Sequence, residues 1–250
     1  WPIGQACGGV AIGVFDGVHA GHRTVIAELF ARSERLPACV LTFEPHPLRA
    51  LGKEPPPFLT SFSQKCDIIA SLGVHTLFAV PFTPDLANTE PGQFAAELAH
   101  RLSPQWVVVG EHFRYGARAR GDLSTLEQQG QMLGFRALGI PDVRVDGVIA
   151  SSTGIRQLIQ QGEMSSATRL LGRPHTIRGH IMPGDGRGKT LGFPTANIEP
   201  PVGQALPPNG VYAATASIRG KVYPGVLNLG VRPTFGPSLD RKSTRLNSSH

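Results

Sequence analysis

Two histidines three residues apart, His19 and His22, follow an apolar run and a glycine-punctuated turn in the segment GVFDGVHAGH, residues 13–22. That spacing places both on one face of a helix start. Free backbone N–H groups and the helix dipole favour anions there, and two imidazoles add donors. Nucleotidyl transfer needs this kind of chemistry: charge stabilisation on a triphosphate without a covalent nucleophile. His19 and His22, with Arg156 further along the chain, are the catalytic candidates, and Gly13, Phe15, Asp16, Gly17 and Gly21 are the nucleotide-binding turn around the histidines. No third or fourth metal ligand stands nearby, so the pair does not read as a zinc site.

Three further constellations carry chemistry. Ser151, Ser152 and Thr153 form an N-cap run whose hydroxyls and N–H groups suit a phosphate, with Arg156 reaching from the first turn toward the same anion. Plain helix capping with a solvated Arg accounts for them as well. Phe113, Arg114 and Tyr115 offer a stacking face and a cation to a ring system with a phosphate; loop packing is the alternative. Residues 179–197 hold five glycines within fourteen residues, whose N–H groups can wrap a phosphate. Gly184, Gly186, Gly188 and Lys189 are the candidate contacts there, with Arg187 beside them. The order of residues is not that of a Walker loop. His46, between two prolines in the rigid segment 41–47, suits a structural role as well as substrate contact.

The elements that must position these groups alternate. Strands are predicted at 10–14, 38–43, 75–80 and 106–109. Helices are predicted after Gly21, with Val25, Ile26, Leu29 and Phe30 at helical spacing, and at 63–72, 91–102 and 123–133. This alternation implies parallel βαβ units in a doubly wound α/β domain, with ligands at the carboxyl ends of the strands. Short helices at 152–161 and 165–171 close this part, and Gly172-Arg173-Pro174 marks a boundary. Beyond it the pattern becomes antiparallel β, a barrel or sandwich, with strands at 175–182, 193–198, 211–218 and 222–229 and a hairpin at Arg219-Gly220.

Composition narrows the partners. The 24 basic and 18 acidic side chains leave +6, and three of those charges are Arg241, Lys242 and Arg245. The pI near 9.7 admits nucleic acid or phosphorylated small molecules. Basic residues are scattered without interleaved aromatics, which disfavours nucleic acid. Cys7, Cys39 and Cys66 are odd in number and lack metal or redox spacing, so they read as buried or free thiols in a reducing cytosol. No apolar run approaches the roughly 18 residues of a membrane span. A cytoplasmic protein without membrane or nucleic-acid partners is expected, monomeric or weakly self-associating. The chain opens on Trp1 rather than Met, and residues 238–250 read as an appended tail without periodicity. The expected division is 1–172, 173–237 and that tail.

Residues 13–22 resemble the H-x-G-H signature of nucleotidylyltransferases, in the form found in prokaryotic bifunctional riboflavin kinase/FAD synthetases. LTFEPHP (41–47), VGEHFRYG (109–116) with Gly121-Asp122, SSTGIR (151–156) and the glycine-rich run ending in PTAN (194–197) follow in family order. GVYAA (210–214) and VLNLGVRPTF (226–235) resemble the family's kinase barrel. The resemblance covers most of residues 10–236. It implies two activities: FMN and ATP give FAD and pyrophosphate, and riboflavin and ATP give FMN. It makes Phe113, Arg114 and Tyr115 the flavin side, and Ser152 and Thr153 contacts to ATP. It makes Thr195 and Asn197 holders of Mg²⁺ and ATP phosphates, with Lys189 and Arg187 near the anion. Val14, His112 and Gly154 depart from the family's usual Asn, Asp or Asn, and Arg. The family's strand with the kinase's catalytic Glu has no counterpart after Gly236. From this, riboflavin phosphorylation is expected to be lost in the chain as written, with 222–229 or a neighbour an open apolar edge and the first domain folding independently. The alternatives are another H-x-G-H transferase acting on a different phosphate, which would have no need of the glycine-rich kinase loop, and a basic nucleic-acid-binding protein.

Overall fold

A computed structural model of the chain describes residues 6–33, 36–183, 195–231 and 242–247. At its centre lies β1 (Gly9–Ile12), buried along its whole length. It pairs with β2 (Ala38–Phe43) on one side and β4 (Trp106–Gly110) on the other. β3 (Thr76–Val80) and β5 (Arg136–Ile140) lie outside, giving the order β3-β2-β1-β4-β5 with every pair parallel. This is the predicted doubly wound sheet.

Alternate residues of a strand face opposite sides. Val10 and Ile12 pack with Phe94 and Leu98 of α5 (Pro91–Leu102) and Leu126 of α6 (Leu123–Leu133). Ala11 packs with Ile26 and Leu29 of α1 (Ala20–Ser33) and Ile69 of α3 (Phe62–Ser71). Apolar residues on both faces explain why β1 and β2 read as unbroken apolar runs. Ser61 and Gln64 close a capping box at the start of α3, and Asp122 caps α6. Short helices α2 (Pro47–Ala50) and α4 (Pro84–Ala87) lie in the loops after β2 and β3. After β5 come a small hairpin, β6 (Arg144–Val145) and β7 (Val148–Ile149), then α7 (Ser152–Gln161) and α8 (Met164–Leu171).

The second half forms an antiparallel sheet. β8 (His180–Met182), β9 (Thr195–Glu199), β10 (Gly210–Ile218), β11 (Lys221–Val231) and β12 (Lys242–Asn247) lie in the order β10-β11-β12-β9-β8. Arg219 and Gly220, with φ 50° and 80°, make the two-residue turn of the β10–β11 hairpin.

Several expectations change. The strand expected at 175–182 is confined to its last three residues. β5 was not anticipated: it is a short edge strand, partly exposed over its first four residues. Residues 242–247, read as part of an unstructured tail, pair with β11 and β9. The segment 222–229 is therefore an inner strand, and the edge expected there or at a neighbour falls on the neighbour, β10, with β8 at the other side of the sheet. Cys7 and Cys39 are joined as a disulfide rather than standing as free thiols, and Cys66 is the free cysteine. The first half is also not closed on itself. A third core of Leu59, Ile155, Ile159, Leu170 and Leu171 includes Ala205 from beyond the boundary. Phe58 donates its N–H to Gly203 O at 2.9 Å and accepts from Ala205 N at 2.8 Å. Among the described residues no helix is long and apolar enough to cross a membrane.

Candidate active site

The turn between β1 and α1 bends through three positive φ angles: Phe15 (52°), Gly17 (81°) and Val18 (41°). Such a path persists only where surroundings over-determine it, and here they do. Asp16, 6% exposed, turns its carboxylate inward. Its oxygens accept Leu59 N at 2.9 Å and Thr60 N at 3.1 Å. Gly17 N donates to Thr60 Oγ1 at 3.1 Å. Val14 O accepts from Thr42 Oγ1 at 3.1 Å and from Lys65 Nζ at 2.9 Å. Gly17 is required twice over: its φ is left-handed, and a Cβ there would meet Leu59 Cδ1 at 2.7 Å.

The turn delivers His19 and His22 together. Their rings stack with centroids 3.7 Å apart and planes 25° from parallel, and Phe15 leans on His22 at 5.1 Å. A Cβ on Gly21 would lie 3.2 Å from His19 Cε1, so the bare backbone leaves room for the ring. The Nδ1 atoms of both histidines are buried without a hydrogen-bond partner among the described residues. Burial pulls His19 down to about 4, with Asp16 opposing and Arg156 and Arg173 assisting. His22 is held well below the ordinary range by burial, His19 and Lys65. Both rings are neutral at pH 7. They can meet an incoming anion with donors and, once its charge arrives, take up a proton.

α7 arrives at the same turn. Ser151 caps it by accepting Gly154 N at 3.1 Å, and Ser152 Oγ donates to Asp16 O at 2.9 Å. Thr153 is exposed. Arg156, expected to reach toward the same anion as the α7 cap, directs two of its donors inward. Nε binds Pro57 O at 2.7 Å and Nη2 binds Asp16 Oδ2 at 2.8 Å. In a buried setting the nearest fixed carboxylate takes the guanidinium. His46 takes the structural role open to it, accepting Leu48 N at 3.2 Å to cap α2.

The loop after β4 sits at the carboxyl edge of the same sheet. Phe113 and Tyr115 stack at 5.5 Å. Tyr115 is 7% exposed, inside the core against Phe94 and behind Phe113, so its ring is not an open stacking face. Arg114 is exposed, 4.0 Å from Asp122 Oδ2. Beside them His112 Nε2 lies 3.4 Å from Glu111 Oε1 and 3.5 Å from Asp142 Oδ2, all three exposed.

In the second sheet, Thr195 and Asn197 lie on β9 between β8 and β12. The Oδ1 of Asn197 is buried and without a hydrogen-bond partner among the described residues. Gly184, Gly186, Gly188, Lys189 and Arg187 lie outside the described residues.

Sequence reasoning missed Lys65 and Arg173. Lys65 is 5% exposed, and burial lowers its pKa. The signal was there: Lys65 stands one helical turn before Ile69 on the buried face of α3. Arg173 was noted only as part of a boundary.

Comparison with known proteins decides the family. Residues 5–154 match the FAD synthetase family and residues 171–245 the riboflavin kinase family. The bifunctional riboflavin kinase/FMN adenylyltransferase of Bacillus subtilis (strain 168) is 38% identical over 239 residues, covering 92% of this chain and 74% of that protein. The chain belongs to the bifunctional riboflavin kinase/FMN adenylyltransferase family. The relative of the same name in Escherichia coli (strain K12) is 37% identical over 230 residues, 90% of this chain and 73% of its own. The crystal structure of a macrolide-efflux protein from Streptococcus pneumoniae superposes with a TM-score of 0.87 at 28% identity, covering 98% of this chain and 81% of that one. This family member is thus an enzyme with an FAD synthetase domain on the parallel sheet and a riboflavin kinase domain on the antiparallel one. The two matched stretches are separated by α7 and α8, and α7 begins inside the first.

Proposed function

We propose that FMN adenylylation takes place at the carboxyl edge of the parallel sheet, with His19 and His22 facing the ATP phosphates. The observation that carries this reading is the stacked, neutral histidine pair at the start of α1, whose Nδ1 atoms have no hydrogen-bond partner among the described residues. A phosphate oxygen of FMN attacks the α-phosphorus of ATP. The new P–O bond forms as the bond to the bridging oxygen breaks, and pyrophosphate leaves. The histidines and the N–H groups of the 13–21 turn, including Gly13 and Gly21, hold the phosphate oxygens as charge moves to the leaving group. Phe15, Asp16 and Gly17 shape the turn that holds the nucleotide. Ser152 and Arg156 fix Asp16, and Thr153 is the exposed hydroxyl of the α7 cap. Phe113 supplies the flavin's stacking face with Tyr115 behind it, and Arg114 a cation for its phosphate.

The second sheet is the place for riboflavin phosphorylation, with ATP bound at the glycine-rich run, residues 184–189. Mg²⁺ fits the donors present. The buried amide oxygen of Asn197 has no hydrogen-bond partner among the described residues, and with Thr195 it makes a hard oxygen pair of the kind Mg²⁺ accepts. When bound, the ion neutralises phosphate charge. The division near residue 172, a cytoplasmic location, and a monomer or weak homo-oligomer acting on ATP, FMN and riboflavin complete the proposal.

The test is conversion of FMN to FAD with ATP and Mg²⁺, followed by the change in flavin fluorescence. Replacing His19 or His22 by Ala should lower turnover by about 10²–10³, the scale of losing one donor to a developing oxyanion. Unchanged FAD synthesis in His22→Ala refutes the assignment.

A further inference from the structure

We propose that Arg173, supplied from the riboflavin kinase side of the boundary, is a positioning residue for adenylyl transfer, acting through the backbone of the turn that carries His19. Arg173 lies two residues beyond α8, within the stretch matched to riboflavin kinase. Its guanidinium reaches back across the boundary. Nη2 donates to Gly17 O at 2.7 Å, and Nη1 donates to Val18 O and to Leu171 O, each at 3.3 Å. Gly17 and Val18 are the two positive-φ residues immediately before His19. Val18 is β-branched, and such a residue enters that region only when held.

The planar fork suits this task. It spans two successive carbonyls, which a single ammonium does poorly. The C=O and N–H of a trans peptide point in opposite directions. Pinning Val18 O on Arg173 therefore turns the N–H of His19 away from Arg173. The same contact fixes where the chain enters α1, and with it the His19 ring. Among the described residues no carboxylate forms an ion pair with Arg173, so the backbone carbonyls alone orient it. Burial and the neighbouring Arg23 lower its pKa.

The segment that carries Arg173 is itself fastened. Gln64 Nε2 donates to Thr176 O at 3.0 Å, and Arg178 binds Ser63 Oγ at 2.9 Å and Asp67 Oδ2 at 2.7 Å. These contacts dock the segment on α3 without touching the turn. That separates two roles. Arg178 docks the segment, and Arg173 sets the turn.

The experiment compares Arg173→Ala, Arg173→Lys and Arg178→Ala in the full chain. It measures kcat and KM for ATP in FAD synthesis, the melting temperature, and the NMR titration of His19. The charged and titratable groups facing His19 are Asp16, Arg156, Arg173 and the stacked His22. Arg173→Ala should raise the KM for ATP about tenfold or more, the scale of losing a charge-assisted hydrogen bond. It should also move the His19 titration upward, because a cation has gone. Arg173→Lys should fall between. Arg178→Ala should lower the melting temperature and leave ATP KM and the His19 titration near their original values. Original ATP KM and His19 titration in a folded Arg173→Ala, or original ATP KM in Arg173→Lys, overturn the proposal, as do equal effects from Arg178→Ala. Should Arg173→Ala not fold, Arg173→Lys decides by its KM for ATP, since lysine keeps the cation beside His19 and removes only the planar fork. The proposal rests on ATP binding beside His19. That reading fails separately, through an active His22→Ala, while the His19 titration still judges the brace.

Discussion

Asp16 and Arg156 stand 140 residues apart in the chain and meet as a buried ion pair at 2.8 Å. Asp16 also receives the N–H groups of Leu59 and Thr60, and Arg156 also donates to Pro57 O. One pair thus ties the signature turn, the loop before α3 and the first turn of α7 into a single unit. The cost of burying each charge is offset only while both are present.

Removing one partner should therefore be severe. Asp16→Ala is expected to cost about 3–5 kcal/mol in urea unfolding, because Arg156 stays buried without its counter-charge. Arg156→Lys should also destabilise, since one ammonium cannot serve both Asp16 and Pro57 O. It should lower FAD synthesis as the turn loosens. A stability change near zero in both variants would show that the pair is not a brace.

Gly17→Ala tests the turn by shape alone. The left-handed φ and the contact with Leu59 should together cost about 2–4 kcal/mol. Gly134, the αL cap of α6, has φ 85° and nothing within 4 Å of an added Cβ. Gly134→Ala should cost only the backbone part, about 1–2 kcal/mol. Equal melting points for the two variants would contradict the packing at Leu59.

Acid should destabilise the protein in a definite window. His19 binds its proton only near pH 4 in the fold and near 6.5 when unfolded. Between those values the unfolded chain holds a proton that the folded one rejects, so stability rises with pH. On lowering the pH from 6.5 to 4, His19 alone should remove about 3 kcal/mol. His22, His46 and His175 are lowered as well and act in the same direction. Urea midpoints at pH 7, 5.5 and 4.5 should fall in that order, and more gently in His19→Gln. A flat series would mean that the pair is not buried in neutral form.

Asn197→Ala should weaken Mg²⁺-dependent binding of ADP by about tenfold or more, the scale of losing a supporting group at a metal site. Binding in EDTA should be unaffected. Calorimetry with and without the ion makes the comparison, and identical Mg²⁺ dependence in both proteins rules Asn197 out as a holder of the ion.

The parallel sheet was legible because its signal is local. Apolar runs at 38–43 and 106–109 and helices at 91–102, 123–133 and 152–161 emerge within a residue of where they were read. The glycine turn before His19 and His22 was legible for the same reason. Glycine at 17 permits the left-handed φ that the turn adopts, while the hold on that path comes from Thr42, Leu59, Thr60 and Lys65, far along the chain.

What lay outside that range depended on pairing and burial. The polar run Lys242–Asn247 is a strand because β11 and β9 offer it backbone partners on both sides, not because of any side-chain period. Cys7 and Cys39 meet because β1 and β2 are neighbours in the sheet, across 32 residues that bear no cysteine spacing rule. The type and place of Arg156 were visible, but its direction was decided by an aspartate 140 residues away in a medium where charges must pair. Lys65 and Arg173 joined the site only when the chain closed around the turn and left its carbonyls facing inward. A buried carbonyl needs a donor, and only the tertiary structure determines which side chain is close enough to supply it.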